Sequence, residues 1–130
     1  MTLATTGPLG VWAAAVFYVN EGFDLFFLSA GHTRHAQNLA ESPRAAGTIQ
    51  EDYREWTAVQ GIQLEGAVQR LQGAERDKAI DLFQAKYVFL NQAPPVIQTA
   101  FAAVNWYRLR PDKFYFVDNS KGFGWRDQII

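Results

Sequence analysis

The sequence contains no cysteine, which removes disulfides, thiolate metal sites and cysteine nucleophiles and fits a reducing interior. It has no excess of either charge. Twelve Lys and Arg stand against 13 Asp and Glu, a formal net charge of −1, so there is no general electrostatic case for nucleic acid or an anionic membrane surface. It has no long hydrophobic run: the longest, Val11–Val19, is nine residues, well short of the roughly 18 that a membrane-spanning helix takes. No basic segment precedes an apolar one near Met1, so no signal peptide is expected and the cytoplasm is the expected location. Carboxylate pairs, a Ser-His-Asp set and an HExxH-like motif are all missing. Hydrolysis and metalloenzyme chemistry therefore find no support, and no catalytic acid or base can be named. Internal repeats, linkers and low-complexity segments are missing too.

What is present suits one domain over residues 1–130, with 48% hydrophobic residues to build a core without staples. Thr2–Thr6 reads as a strand, Gly7-Pro8-Leu9-Gly10 as a turn, and Val11–Val19 as a second strand ending at the hairpin signal Asn20-Glu21-Gly22. Phe23–Leu28 is the third strand. The near-continuous apolar character of the second and third predicts burial on two faces or in a barrel wall. His35–Glu41 is a two-turn helix stopped by Pro43, followed by strand Arg44–Gln50 and a charged excursion over Glu51–Glu55. Trp56–Leu71 is a long strand whose alternation marks one buried face, with Gly61 and Gly66 as bend or bulge positions.

Gly73–Tyr87 forms a helix with an apolar stripe of Ala79, Ile80, Leu82, Phe83 and Tyr87, and Pro94-Pro95 opens another through Ala103. Asn105–Leu109 and Phe114–Asp118 are the last strands, joined by an Arg110–Lys113 turn, and the tail from Asn119 is irregular. The expected fold class is mainly β with peripheral helices: a closed or split antiparallel barrel.

The chemistry concentrates where the third strand runs into the first helix. Ser29, His32, Thr33, Arg34 and His35 place hydroxyls, imidazoles and a guanidinium where free helix N–H groups would meet an anion, a candidate phosphate pocket. His32 on its own, without partnered ligands, is a weak haem or metal ligand.

The order of elements, together with Leu3-Ala4-Thr5, Val16-Phe17-Tyr18, Leu28-Ser29, Thr33-Arg34-His35, Asn38-Leu39, Gln63-Leu64-Glu65-Gly66, Tyr107–Pro111 and Phe114-Tyr115-Phe116, resembles the FMN-binding split-barrel family typified by pyridoxamine 5′-phosphate oxidase. It looks closest to that family's small single-domain members. The resemblance covers most of the chain and implies a homodimer with FMN at the subunit interface. By position, Ala13–Tyr18, with Val16, Phe17 and Tyr18 among them, would flank the flavin, with backbone amides of their strand on the ring edge. Leu28 and Ser29 would end the third strand beside it. Ser29, Thr33, Arg34 and His35 would hold the phosphate, and Gln60 (or Gly61) and Arg126 would approach the cofactor.

Three departures from the family pattern matter. Ala13 stands where the family has its first phosphate arginine. His35 replaces a lysine, making a pH-dependent cation whose help would fade between about pH 6 and 8. The oxidase's substrate-binding Arg-x-His has no counterpart in Lys121–Trp125, so pyridoxamine-phosphate oxidation itself is not expected. The first reading is thus a dimeric FMN protein with flavin oxidoreductase chemistry on an unnamed small-molecule substrate. The alternative is a non-catalytic split-barrel dimer that binds haem, another ligand or no cofactor.

Overall fold

The computed structural model describes all of residues 1–130. Eight strands form one antiparallel sheet: β1 (Thr2–Gly7), β2 (Gly10–Ala15), β3 (Tyr18–Glu21), β4 (Asp24–Ser29), β5 (Arg44–Gln50), β6 (Gln60–Arg70), β7 (Asn105–Asp118) and β8 (Arg126–Gln128). Three α-helices join them: α1 (Arg34–Glu41), α2 (Gly73–Lys86) and α3 (Pro95–Ala103). The spatial order is β2-β1-β5-β6-β7-β4-β3, with β8 added on β7.

That order decides the shape. The two ends of the path, β2 and β3, are separated in sequence by Val16 and Phe17 alone. Three Cα–Cα steps reach at most about 11 Å, so the sheet must roll until its edges nearly meet. The second expected strand, Val11–Val19, is therefore two strands broken at Val16-Phe17. Met1 clamps the break: Val16 N–H donates to the Met1 carbonyl at 2.9 Å, and the Met1 amine donates to the Val16 carbonyl at 3.3 Å.

Alternation on β4 separates two cores. Leu25 and Phe27 point inward with Leu3, Leu64, Val68, Tyr107 and Leu109, and α1 contributes Ala36 and Leu39 to this interior. Phe26 points outward with Val19, Leu71 and Trp106, beneath Ala79 and Phe83 of α2. The apolar run of β4 is thus buried on both faces, as expected. The expectation fails for β2, an edge strand paired with β1 on one side only, where Val11 is 82% exposed.

Three other expectations are corrected. Trp56–Ala58 is a 3-10 turn rather than strand. The tail from Asn119 is not wholly irregular, since Arg126–Gln128 pairs with β7. Arg110–Lys113 is no turn: β7 runs straight through it. Glu65 faces Lys113 and Gly66 faces Pro111, so Asp112 is the extra residue of a bulge. Arg44 fixes that bulge with two hydrogen bonds to the Asp112 carboxylate, 2.7 and 3.0 Å, which hold the carboxyl below the usual range.

Gly66 is required at the bulge because a Cβ there would strike the Arg110 carbonyl and lie 2.7 Å from Pro111 Cα, all backbone that cannot step aside. Gly66→Ala should cost about 3 kcal/mol, the upper range for overpacking a rigid site. Gly47→Ala, whose nearest neighbours are the Leu64 and Met1 side-chain ends at 3.3 Å, should cost about 1 kcal/mol or less. Urea unfolding of the two variants checks this, and equal midpoints would contradict it.

Candidate functional site at the start of the first helix

β4 ends at Ser29, which pairs with Asn105 of β7 and is buried. Four residues later Thr33 caps α1. Its backbone is extended, its hydroxyl accepts from Ala36 N–H at 3.3 Å and donates to the Ala30 carbonyl at 2.8 Å. One turn of helix brings the His35 ring back over the strand end. There Nε2 hydrogen-bonds the Ser29 hydroxyl and lies 3.4 Å from Thr33 Oγ1, while the two hydroxyls are 3.2 Å apart. Asn38 follows on the same face and donates to Thr5 Oγ1 at 3.1 Å, which ties α1 to β1.

No carboxylate joins this cluster, and His35 is only 7% exposed. Burial pushes the imidazole pKa below its ordinary value and so favours the uncharged ring. Against the expectation of a cation at His35, the fold favours a neutral hydrogen-bonding group there. The physical reason is that the ring turns into the domain rather than out to water.

Arg34 supplies the charge instead. Its Nη2 donates to the Leu9 carbonyl at 2.9 Å, and its guanidinium lies 4.5 Å from the Trp12 ring centre. Its Nε is buried without an acceptor, and Arg34 belongs to none of the salt bridges. The first turn of α1 carries no acidic residue. An unopposed guanidinium, an orphan donor and a helix start therefore share one edge, which suits an anion. Trp12 was not singled out in the sequence, although the tight Gly7–Gly10 hairpin, which pairs it with Thr5, was the available signal.

The other expected site residues lie elsewhere on the chain. Val16 and Phe17 occupy the break between β2 and β3, where both Val16 backbone groups are already used by Met1, so that amide is not free for a ring edge. Phe17 is exposed and meets Tyr87 edge-on at 5.5 Å. The Tyr18 carbonyl accepts from Lys86 Nζ and Tyr87 Oη, each at 2.8 Å. Leu28 is half-buried opposite Trp106. Gln60 begins β6 opposite Asp118, and Arg126 on β8 stacks 4.6 Å over Tyr115 and donates to Gln63 Oε1 at 3.2 Å. No hydrogen bond or salt bridge joins Gln60 or Arg126 to the cluster around Ser29. The structure brings Ser29, Thr33, Arg34 and His35 together with Leu28 next to Ser29 on β4, and no hydrogen bond or salt bridge joins Val16, Phe17 or Tyr18 to them either.

No protein-family model matches the chain. Among individual relatives, a UPF0306 protein of Photorhabdus laumondii subsp. laumondii is 32% identical over 126 residues, 95% of this chain and 82% of that protein. One of Klebsiella pneumoniae is 31% identical over 116 residues, 88% of this chain and 73% of that protein. The chain belongs to the UPF0306 family.

Solved structures place this UPF0306 chain among the split barrels. It superposes on a haem-binding protein of Mycobacterium smegmatis with TM-score 0.76 and 25% identity, covering 98% of this chain and spanning half the length of that one. HutZ, the haem storage protein of Vibrio cholerae, gives 0.68 and 18% identity over 85% of this chain and 80% of its own. A pyridoxamine 5′-phosphate oxidase-related, FMN-binding protein of Nostoc punctiforme gives 0.60 and 14% over 98% of this chain and 76% of its own. The fold is the split antiparallel barrel. No helix is long and apolar enough to cross a membrane.

The neutral imidazole has a measurable consequence. A histidine held neutral in the fold takes up its proton more readily when unfolded, so protonation favours unfolding. Stability should be full above the ordinary imidazole pKa and fall as the pH drops from about 7 to 5. Asp24, Asp112, Asp118 and Asp127, whose carboxyls are depressed by their hydrogen-bond partners, act in a lower window. Urea unfolding at pH 7 and pH 5 should show His35→Gln losing less stability on acidification than the unaltered chain. Equal losses would mean that His35 is not held neutral.

Proposed function

We propose that this chain binds FMN as one half of a homodimer, with the phosphate on Arg34 and the Ser29–Thr33–His35 cluster. The observation that carries the reading is the buried Arg34 Nε, a donor with no acceptor beside a helix start free of acidic residues. A phosphate oxygen supplies such an acceptor. Ser29 and Thr33 add hydroxyls, and the neutral His35 orients Ser29 through its Nε2. FMN, when bound, supplies a redox-active ring. The chain's own share is to hold and orient it.

A second copy completes the site on this reading. Gln60 and Arg126 do not reach the cluster within one chain. Meanwhile β2, with Leu9, Val11 and Trp12 exposed beside Arg34, offers an apolar edge that a partner would cover. Covering it removes water from the Arg34–Trp12 stack and strengthens the hold on an anion.

Haem is the second reading, favoured by the haem-binding and haem-storage proteins among the structural neighbours. On this chain it rests on His32, an exposed imidazole in the loop before α1, because His35 is already bonded to Ser29. The two readings separate by colour: flavin bands on adding FMN, or a Soret band on adding haem that His32→Ala abolishes.

For the FMN reading, Arg34→Ala should weaken binding by about 2 kcal/mol, some thirtyfold, as expected for loss of a charge-assisted contact. Fluorescence quenching of titrated FMN measures it. Unchanged affinity in a folded variant would remove the phosphate from this loop. Sedimentation at micromolar concentration should show a dimer, and a monomer would count against an interfacial flavin.

A further inference from the structure

On the opposite side of the sheet from α1, the helical layer leaves a cavity of about 440 Å³, within the range of small-molecule sites. Ile80 and Phe83 of α2, Leu90 in the following turn, Ile97 and Phe101 of α3, and Trp106 of β7 line it, so its surface is mostly hydrocarbon and aromatic. None of these residues belongs to the cluster around Ser29.

Three observations say what it would take. First, Trp106 is 2% exposed and its indole N–H has no hydrogen-bond partner, an expensive omission in an apolar setting. Its ring meets Phe83 edge-to-face at 5.3 Å, but an aromatic face is at most a weak acceptor. Second, Arg76 also lines the cavity. It donates to the Ala102 carbonyl at 2.7 Å, which fixes α3, yet it forms none of the salt bridges, and its neighbour Glu75 faces Arg108 instead. A guanidinium has five N–H groups, so donors remain for an anion. Third, α3 carries Val96, Ile97 and Phe101, yet none of its residues is buried. Ile97 and Phe101, which line the cavity, gain burial when a hydrocarbon body enters.

We propose that this cavity binds a small apolar carboxylate, its hydrocarbon body between α2 and α3, its charge drawn by Arg76, and an oxygen accepting the Trp106 N–H. The site is separate from the proposed FMN site and is tested without cofactor, so failure of either reading leaves the other standing.

The test follows the four tryptophan indole N–H resonances of the 15N-labelled chain during titration with 2-naphthoate, decanoate and uncharged 2-naphthalenemethanol. Trp106→Phe identifies the Trp106 signal by its disappearance. That signal should move saturably with at least one carboxylate, and the stronger of the two separates an aromatic from a fatty ligand. Arg76→Gln should weaken the carboxylate about tenfold while changing the alcohol by less than about twofold, because the alcohol carries no charge for the guanidinium to draw, whereas loss of the Ala102 hydrogen bond would affect both alike. A Trp106 resonance that stays still to millimolar probe overturns the proposal. Equal losses for acid and alcohol overturn it also, leaving Arg76 as a clamp on α3. A signal that moves with protein concentration alone would give the cavity to a second copy and overturn it as well.

Discussion

Two residues, Val16 and Phe17, impose the constraint on which the rest of the structure depends. They link the first and last strands of a seven-strand path, and a link that short cannot span an open sheet. Rolling follows, and with it an interior lined by Leu3, Phe27, Leu64, Tyr107 and Leu109. The bulge at Asp112 serves the same end, since an extra residue on β7 bends it where β6 curls past. Gly66 makes the bend possible by letting the Arg110 carbonyl approach where any Cβ would stand.

The roll also explains where polar chemistry survives. α1 sits over β1 and contributes Ala36 and Leu39 to the interior, so its first turn is drawn down onto the end of β4. That docking carries His35 out of water and against Ser29. Burial then sets its protonation state, and the charge of the site passes to Arg34, held outside over Trp12. The first turn of α1 thus sets two residues adjacent in sequence to different roles, a buried imidazole that hydrogen-bonds Ser29 and a half-buried guanidinium over Trp12.

The outer face of the sheet has a different character. Phe26 and Trp106 are covered by α2, whose Phe83 stands at the centre of contacts with Tyr87, Phe101 and Trp106. α3 lies over this cluster without burying any residue of its own, which leaves an apolar cavity with one unsatisfied indole N–H. On the β2 edge, Val11 and Trp12 remain largely exposed, with the Arg34 guanidinium over Trp12 and β1 on one side only. Both faces thus present apolar surface that the single chain does not close.

By itself the sequence determined what local physics controls. Turn residues at Gly7–Gly10 and Asn20–Gly22, alternation through Ile62, Leu64 and Gly66, and the apolar stripe of α2 led to a mainly antiparallel barrel with peripheral helices. The short helix was legible as His35–Glu41, one residue inside α1, with its Thr33 cap seen only in the structure, and Ser29, Thr33, Arg34 and His35 stood out within one strand-loop-helix unit. Tertiary structure decided whatever needed a distant partner. The break at Val16-Phe17 is invisible in a continuous apolar run, because it exists only to join two sheet edges. Pro111 and Asp112 read as a turn until β6 pairs through them. The charge of His35 depended on which way the ring faced, and the availability of Arg34 Nε and Trp106 Nε1 on which acceptors the fold failed to bring. Local propensity acts over a few residues; burial and hydrogen-bond partnership are set by contacts that only the rolled sheet creates.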